Sequence, residues 1–380
     1  VIPKKLQQKL EERKANNALR YLGTPSNLID FSSNDYLGFS KSETIFNKTH
    51  AFLVGHNMTQ NGATGSRLLS GNHTLYPITE NIISNFHNSQ SALMFNSGYD
   101  ANIGLFSSVP QRNDVILYDE FAHASIRDGI SMSHATAYKF MHNDLEDLER
   151  HLVRCRQISK ETTMYIVTES VFSMDGDSPD LKALVTISKK HQAHVIIDEA
   201  HAVGVFGKNG AGLVQELELE QYIFARIITF GKALGCHGAA ILGSEPLKAY
   251  LINFARSFIY TTGLPPHSLA TIQFAYQELT DTKIRHKLHQ NIHYFKSEIT
   301  KNNIENIFIE SHSVIQCCII SGNDLVKSIA KKLQDHQFDV KPIVSPTVPK
   351  GKERLRFCLH SYNTKKDISA VLNLLATFIN

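Results

Sequence analysis

The chain has 380 residues, 42% hydrophobic and 20% charged, with a formal net charge of +3, a balance that suits a soluble protein with a large core and room for a second, smaller domain. No basic stripe interleaved with aromatics suggests nucleic acid, and no run reaches the ~18 apolar residues of a membrane span. Five cysteines (Cys155, Cys236, Cys317, Cys318, Cys358), odd in number and without C-x-x-C spacing, argue against a disulfide framework or a metal site and suit a reducing cytosol. Val1-Ile2-Pro3-Lys4-Lys5 has no signal-peptide apolar core, so a cytoplasmic location is expected.

Residues 4–22 set Leu6, Leu10, Leu19 and Leu22 among Lys, Glu, Gln and Arg, which predicts an amphipathic helix with Arg20 near its end, where a cation suits the helix dipole. Ile29-Asp30-Phe31 reads as a short strand breaking into a polar turn that Asn34 could cap. A small-residue loop over 60–72 precedes a helix at about 74–88. The strand 92–95 runs through Asn96-Ser97-Gly98-Tyr99 into a helix containing Leu105 and Phe106. Strand, small-residue turn and helix N-terminus together make an anion site, because backbone N–H groups converge there; the same pattern also makes an ordinary βα turn. The strand 115–118 ends near His123, an imidazole able to stack on a planar ring or to serve as a hydrogen-bonded structural residue.

A helix over 142–155 enters through Asn143 or Asp144 as N-cap. The strand 164–168 and the helix 180–191 follow, and then Val195-Ile196-Ile197 ends on Asp198-Glu199-Ala200-His201. A second β-type run, 226–230, leads to Gly231-Lys232 and a glycine-rich apolar tail through Gly243. β-branched runs that stop at polar residues read as buried parallel strands, and ligands collect at the carboxyl ends of such strands. Asp198, His201, Thr229 and Lys232 are therefore expected on one rim. A lysine whose pKa falls easily is a usable nucleophile and base, and a carboxylate beside it fits a Schiff-base cofactor whose ring nitrogen must stay protonated. Asp198-Glu199-Ala200-His201 also spells a helicase box, but neither Gly207-Lys208 nor Gly231-Lys232 is followed by the Ser or Thr of a phosphate-binding P-loop.

Beyond Gly243 the pattern turns helical up to Thr261-Thr262-Gly263-Leu264-Pro265-Pro266. A long polar helix is expected over about 267–302, then short strands (314–320, 355–359) and helices (323–337, 365–379). The β-α-β-α alternation predicts an α/β fold with a mostly parallel, doubly flanked sheet. The expected domains are an N-terminal helix and short strand (1–45), a large α/β domain (46–270) and a smaller C-terminal α+β domain (271–380).

Asn34-Asp35-Tyr36-Leu37-Gly38, Ser70-Gly71, Asn96-Ser97-Gly98-Tyr99, Ala122-His123-Ala124-Ser125, 171–177, Asp198-Glu199-Ala200-His201, Thr229-Phe230-Gly231-Lys232 and 260–266 together resemble the α-oxoamine synthase family of fold-type I pyridoxal-phosphate transferases, over nearly the whole chain. The resemblance implies that Lys232 forms the Schiff base with pyridoxal 5'-phosphate, that Asp198 pairs with the pyridine nitrogen, that His201 bonds the phenolic oxygen and that His123 stacks on the ring. It places Ser97, Gly98 and Tyr99 at the phosphate, Ser173 and Thr229 at cofactor oxygens, and Thr261 and Thr262 at the phosphate of the partner subunit in a homodimer with shared sites. Arg356 would clamp the amino-acid carboxylate beside Asn34, with Arg20, Thr347 and His123 among the substrate contacts. Gly238-Ala239-Ala240 and Ser345-Pro346-Thr347-Val348-Pro349 resemble the branch that condenses L-alanine with a pimeloyl thioester, on CoA or acyl carrier protein, to 8-amino-7-oxononanoate for biotin. Glycine-using relatives and serine palmitoyltransferases more often carry Gly-Gly-Tyr or Gly-Gly-Phe at 238–240. Val344 stands where many synthases have arginine, with Lys341 close enough in sequence to substitute. The alternatives are 2-amino-3-ketobutyrate CoA ligase, another synthase of the family, or a non-catalytic partner subunit, against which the presence of Lys232 argues.

Overall fold

Buried apolar runs ending in polar residues become the strands of one sheet. The computed structural model describes residues 2–23, 27–159 and 161–379. The chain divides into two compact units, Leu37–Ser173 with Ser178–Arg285, and Val1–Tyr36 with Met174–Asp177 and His286–Asn380. In the first unit the strands are β1 (Ser91–Phe95), β2 (Val115–Asp119), β3 (Thr136–Phe140), β4 (Met164–Glu169), β5 (His194–Asp198), β6 (Ile223–Thr229) and β7 (Ala239–Gly243). Their spatial order is β1-β7-β6-β5-β4-β2-β3. Pairings from β6 across to β3 are parallel, whereas β7 runs antiparallel to both β1 and β6. The glycine-rich tail after Lys232 is thus the reversed strand of a mostly parallel sheet.

Alternate residues of a strand face opposite sides. Tyr165, Val167 and Ile196 join Leu105, Phe106 and Ile116 in one core, while Met164, Ile166, Val195 and Ile197 join Leu148, Leu152, Leu181 and Leu184 in another. The helix Gly98–Ser108 contributes to the first core, and the helices Leu145–Ile158 and Leu181–Lys190 to the second. Burying each large aliphatic side chain contributes about 1.5–3 kcal/mol, so both faces anchor the strand ends where functional residues stand. Asp144 is the N-cap of the 145–158 helix, its Oδ1 accepting from the Asp147 N–H at 2.8 Å. Strand β3 shows no apolar run because Thr136 to Lys139 are exposed.

Asp198 and Glu199 are chain neighbours with different partners. Arg226 donates from Nε and Nη2 to Glu199 Oε2 at 2.9 and 2.6 Å, and from Nη1 to the His87 carbonyl at 2.9 Å. Glu199 Oε1 accepts from the Val214 N–H at 3.0 Å, and Gly212 packs so closely, at φ +106°, that an added Cβ would lie 2.6 Å from that oxygen. Glu199 therefore ties a loop to the sheet, an architectural job for the second letter of the helicase-like box.

The second unit holds an antiparallel sheet in the order Lys341–Ile343, Arg354–Cys358, Ile315–Ile319, with Ile29–Asp30 paired in parallel to Phe338–Asp339. Two expectations for helices need correction. The N-terminal helix spans Lys4–Ala15 and not 4–22; Asn17 adopts φ +47° and the Ala18 N–H closes on the Arg13 carbonyl at 2.8 Å, a left-handed C-terminal stop. Arg20 thus lies beyond the helix. The segment 267–302 is two helices, Pro266–Leu279 and Thr282–Lys301, and Asp281 Oδ1 accepts from the Lys283 N–H at the second start.

Candidate active site

Strand β5 delivers Asp198 and β6 delivers Thr229 to the same rim. Between Thr229 and Ala239 the chain makes a hairpin closed by Phe230 N–H to the Gly238 carbonyl at 2.9 Å and Cys236 N–H to the Phe230 carbonyl at 2.8 Å. Lys232 stands in that hairpin, its Nζ 2.8 Å from His201 Nε2. Asp198 is buried; its Oδ1 accepts from the Ala200 N–H at 2.9 Å and its Oδ2 from Asn102 Nδ2 at 3.0 Å. His123 caps the helix Ala124–Ser131, and its Nδ1 lies 2.7 Å from Ser125 Oγ. Desolvation by the atoms packed around it lowers the His123 pKa, with Asp198 pulling it up and Lys232 down. Three of the expected residues, Asp198, Lys232 and His123, therefore act electrostatically on one another.

At the head of the Gly98–Ser108 helix, Ser97 Oγ accepts from the Asp100 N–H at 3.1 Å as the N-cap. The first-turn N–H groups at Gly98 and Tyr99 open outward from the helix end, a geometry suited to phosphate. A Cβ at Gly98 would lie 2.6 Å from Thr229 Cγ2, so only glycine lets this helix end approach the end of β6. Thr229 Oγ1 is buried with no hydrogen-bond partner among the described residues, a hydroxyl waiting for an acceptor or donor. Asn96 donates to Thr261 Oγ1 at 3.0 Å and to the Thr262 carbonyl at 2.7 Å, which fixes those threonines beside the same turn. Tyr99 is half exposed and donates to Asp128. Ser173 is half-buried just past β4. An amine, a buried carboxylate, an anion-binding helix end and an unpaired hydroxyl fit pyridoxal 5'-phosphate.

The expected substrate residues of the second unit form two pairs. Arg20 Nη2 donates to Thr347 Oγ1 at 3.2 Å. Arg356 Nη2 donates to Asn34 Oδ1 at 3.1 Å, an oxygen that also accepts from the Tyr36 hydroxyl at 3.1 Å. Lys341 is engaged with Asp339 at 2.7 Å.

Three residues to which the sequence reading gave no role stand at the site: Asn102, Ser125 and Glu169. Asn102 stands one helical turn after Gly98, and Ser125 two residues after His123; those spacings were the available signals. Glu169 ends β4 directly opposite Asp198, is buried and accepts from the His123 N–H at 2.7 Å. Burial, then the charge of Asp198, pushes its pKa up to about 8. Between about pH 4.3, where an unfolded glutamate titrates, and about 8, the folded chain keeps a proton that the unfolded chain has lost. Stability falls as pH rises through that window. Glu169→Gln keeps an acceptor for His123 but does not titrate, so the cofactor-free variant should outlast the parent in urea above pH 8 and lose that advantage towards pH 5. Parallel pH profiles for the two proteins would count against it.

The sequence profile of the family aminotransferase class I and II matches residues 26–375. An 8-amino-7-oxononanoate synthase from Emericella nidulans is 39% identical over 380 residues, spanning 93% of this chain and 90% of that protein. A putative 8-amino-7-oxononanoate synthase from Bacillus anthracis is 39% identical over 343 residues, 90% of this chain and 85% of that protein. Among solved structures, a serine palmitoyltransferase from S. paucimobilis with bound pyridoxal phosphate and myriocin superposes with a TM-score of 0.89 at 25% identity, covering 99% of this chain and 96% of that one. An 8-amino-7-oxononanoate synthase from Francisella tularensis superposes at 0.78 with 29% identity, covering 93% and 98%.

Proposed function

The chain belongs to the α-oxoamine synthases, fold-type I pyridoxal-phosphate-dependent acyltransferases of the aminotransferase class I and II family, and from that premise we propose that it condenses L-alanine with a pimeloyl thioester to 8-amino-7-oxononanoate, releasing carbon dioxide and the thiol carrier, in biotin biosynthesis. The observation that carries this reading is the 2.8 Å approach of Lys232 Nζ to His201 at the strand rim that also holds Asp198. Identity to named 8-amino-7-oxononanoate synthases supports the choice of substrates.

Pyridoxal 5'-phosphate supplies an electron sink for the charge that develops at the amino acid Cα. Lys232 would hold the cofactor through Nζ, and its amine, as a base, would take the Cα proton. Asp198, oriented by Asn102 and the Ala200 N–H, would keep a proton on the ring nitrogen. His201, beside Nζ, would serve the phenolic oxygen, and His123 would support the ring. Ser97, Gly98 and Tyr99 would take the phosphate, while Ser173 and Thr229 would offer hydroxyls to cofactor oxygens. Arg356, oriented by Asn34, offers its planar fork to the amino-acid carboxylate. Arg20 and Thr347, already bonded to each other, serve the acyl substrate. Thr261 and Thr262 reach the phosphate of the partner subunit in a homodimer.

The high structural likeness to a serine palmitoyltransferase makes L-serine with a long acyl chain the second reading. Thiol release should be assayed with L-alanine, glycine and L-serine, each against pimeloyl-, acetyl- and palmitoyl-CoA. L-Alanine with pimeloyl-CoA should lead in kcat/KM by at least about tenfold, the discrimination that one methyl group in a shaped pocket can supply. A lead for glycine with acetyl-CoA, or for serine with palmitoyl-CoA, moves the chain to another member of the family.

A further inference from the structure

We propose that Asn102 and Ser125 are positioning residues that hold His123 with its proton on Nε2, through a hydrogen-bond relay running from Asp198 to His123 Nδ1. The inference rests on the cofactor reading of the site. Asn102 Nδ2 donates both to Asp198 Oδ2 and to Ser125 Oγ, each at 3.0 Å. The Asp198 carboxylate sets the amide's orientation, since turning it over would set Oδ1 against another acceptor. Ser125 Oγ, having accepted from Asn102, directs its hydrogen to His123 Nδ1 at 2.7 Å. The Ser125 backbone N–H donates to the same Nδ1 at 3.2 Å. A backbone N–H can only donate, so Nδ1 carries no hydrogen and the neutral ring bears it on Nε2.

Asn102 Oδ1 is buried with no hydrogen-bond partner among the described residues. An apolar side chain would fill this position without stranding an oxygen. What Asn102 adds is the pair of donated bonds, one to the carboxylate assigned to the ring nitrogen and one to the serine that sets the histidine. His123 can then act on bound reactants as a donor from Nε2.

The test is nitrogen NMR of the cofactor-loaded enzyme labelled in histidine, with His123→Gln used for assignment. The parent should show His123 as the Nε2–H tautomer at mildly alkaline pH. Ser125→Ala and Asn102→Ala each weaken or remove the hydroxyl bond and leave the residue-125 backbone N–H, at 3.2 Å, to hold Nδ1. The Nδ1–H form should then become a detectable minority, and kcat should fall by about tenfold or more, as loss of an outer partner of a functional histidine does. KM for the amino acid should stay within about twofold, and Ser125→Thr should restore the parent tautomer. A parent His123 protonated on Nδ1, or variants unchanged in tautomer and kcat, would overturn the proposal. If the alanine variants do not fold, Ser125→Cys, which keeps the bulk but donates only weakly, is read the same way, and a parent tautomer and kcat retained in it would overturn the proposal. The spectra are taken without substrate, so a wrong substrate assignment leaves the result standing, whereas a parent without cofactor absorbance marks failure of the cofactor reading.

Discussion

Lys232→Ala should abolish turnover, lowering kcat/KM by at least about 10⁴-fold, the upper end of what one positioned base supplies. The side chain meets His201 at 2.8 Å, but the hairpin around it is closed by main-chain bonds that the substitution leaves intact. Circular dichroism and melting should therefore stay close to the parent, and the loss reads as lost chemistry. Lys232→Arg keeps a cation beside His201 but offers a guanidinium that stays protonated and cannot attack, so it should be equally inactive. Both variants should lose the cofactor's visible absorbance on dialysis. Activity of Lys232→Ala within about tenfold of the parent would remove this lysine from the reaction and favour a partner subunit with no catalysis of its own.

The largest stability effect is expected at the neighbouring acid. Glu199→Ala leaves the Arg226 guanidinium buried without its carboxylate, which should destabilise the chain by about 3–5 kcal/mol. The Val214 N–H also loses its acceptor. Replacing both partners by leucine removes the uncompensated charge together with the bond, and should come out markedly more stable than the single variant. Urea unfolding of the three proteins measures this. A single variant within about 1 kcal/mol of the parent would mean that water or another group reaches Arg226 and satisfies it.

What the sequence disclosed and what it hid follow from range. Val195-Ile196-Ile197 is β-branched and stops abruptly at Asp198, so strand, rim and carboxylate could all be read from a few residues. The neighbourhood of His201 and Lys232 was legible for the same reason: both follow strand ends of one parallel sheet. Strand β3 was hidden because an exposed edge carries no apolar signature. The early helix stop was written in Asn16-Asn17, yet Leu19 and Leu22 continue the apolar spacing and mask it. Asn102, Ser125 and Glu169 were given no role because each meets the expected residues only through hydrogen bonds, and nothing in local spacing announces a contact between residues 102 and 198. The job of Glu199 was equally opaque, since its partner Arg226 comes from a different strand.

The reversed strand β7 has a consequence for how the lysine behaves once it has let go. A parallel partner would have required a long crossover after β6, with Lys232 at the root of a connection free to wander. Instead the chain turns straight back, Thr229 opposite Ala239, and the amine hangs from a closed loop by its own side chain. In the role proposed for it, Lys232 would therefore stay at very high effective concentration near the cofactor, and its return would be an intramolecular event. Release and recapture would need only bond rotations along one side chain, with no opening of the loop that bears it.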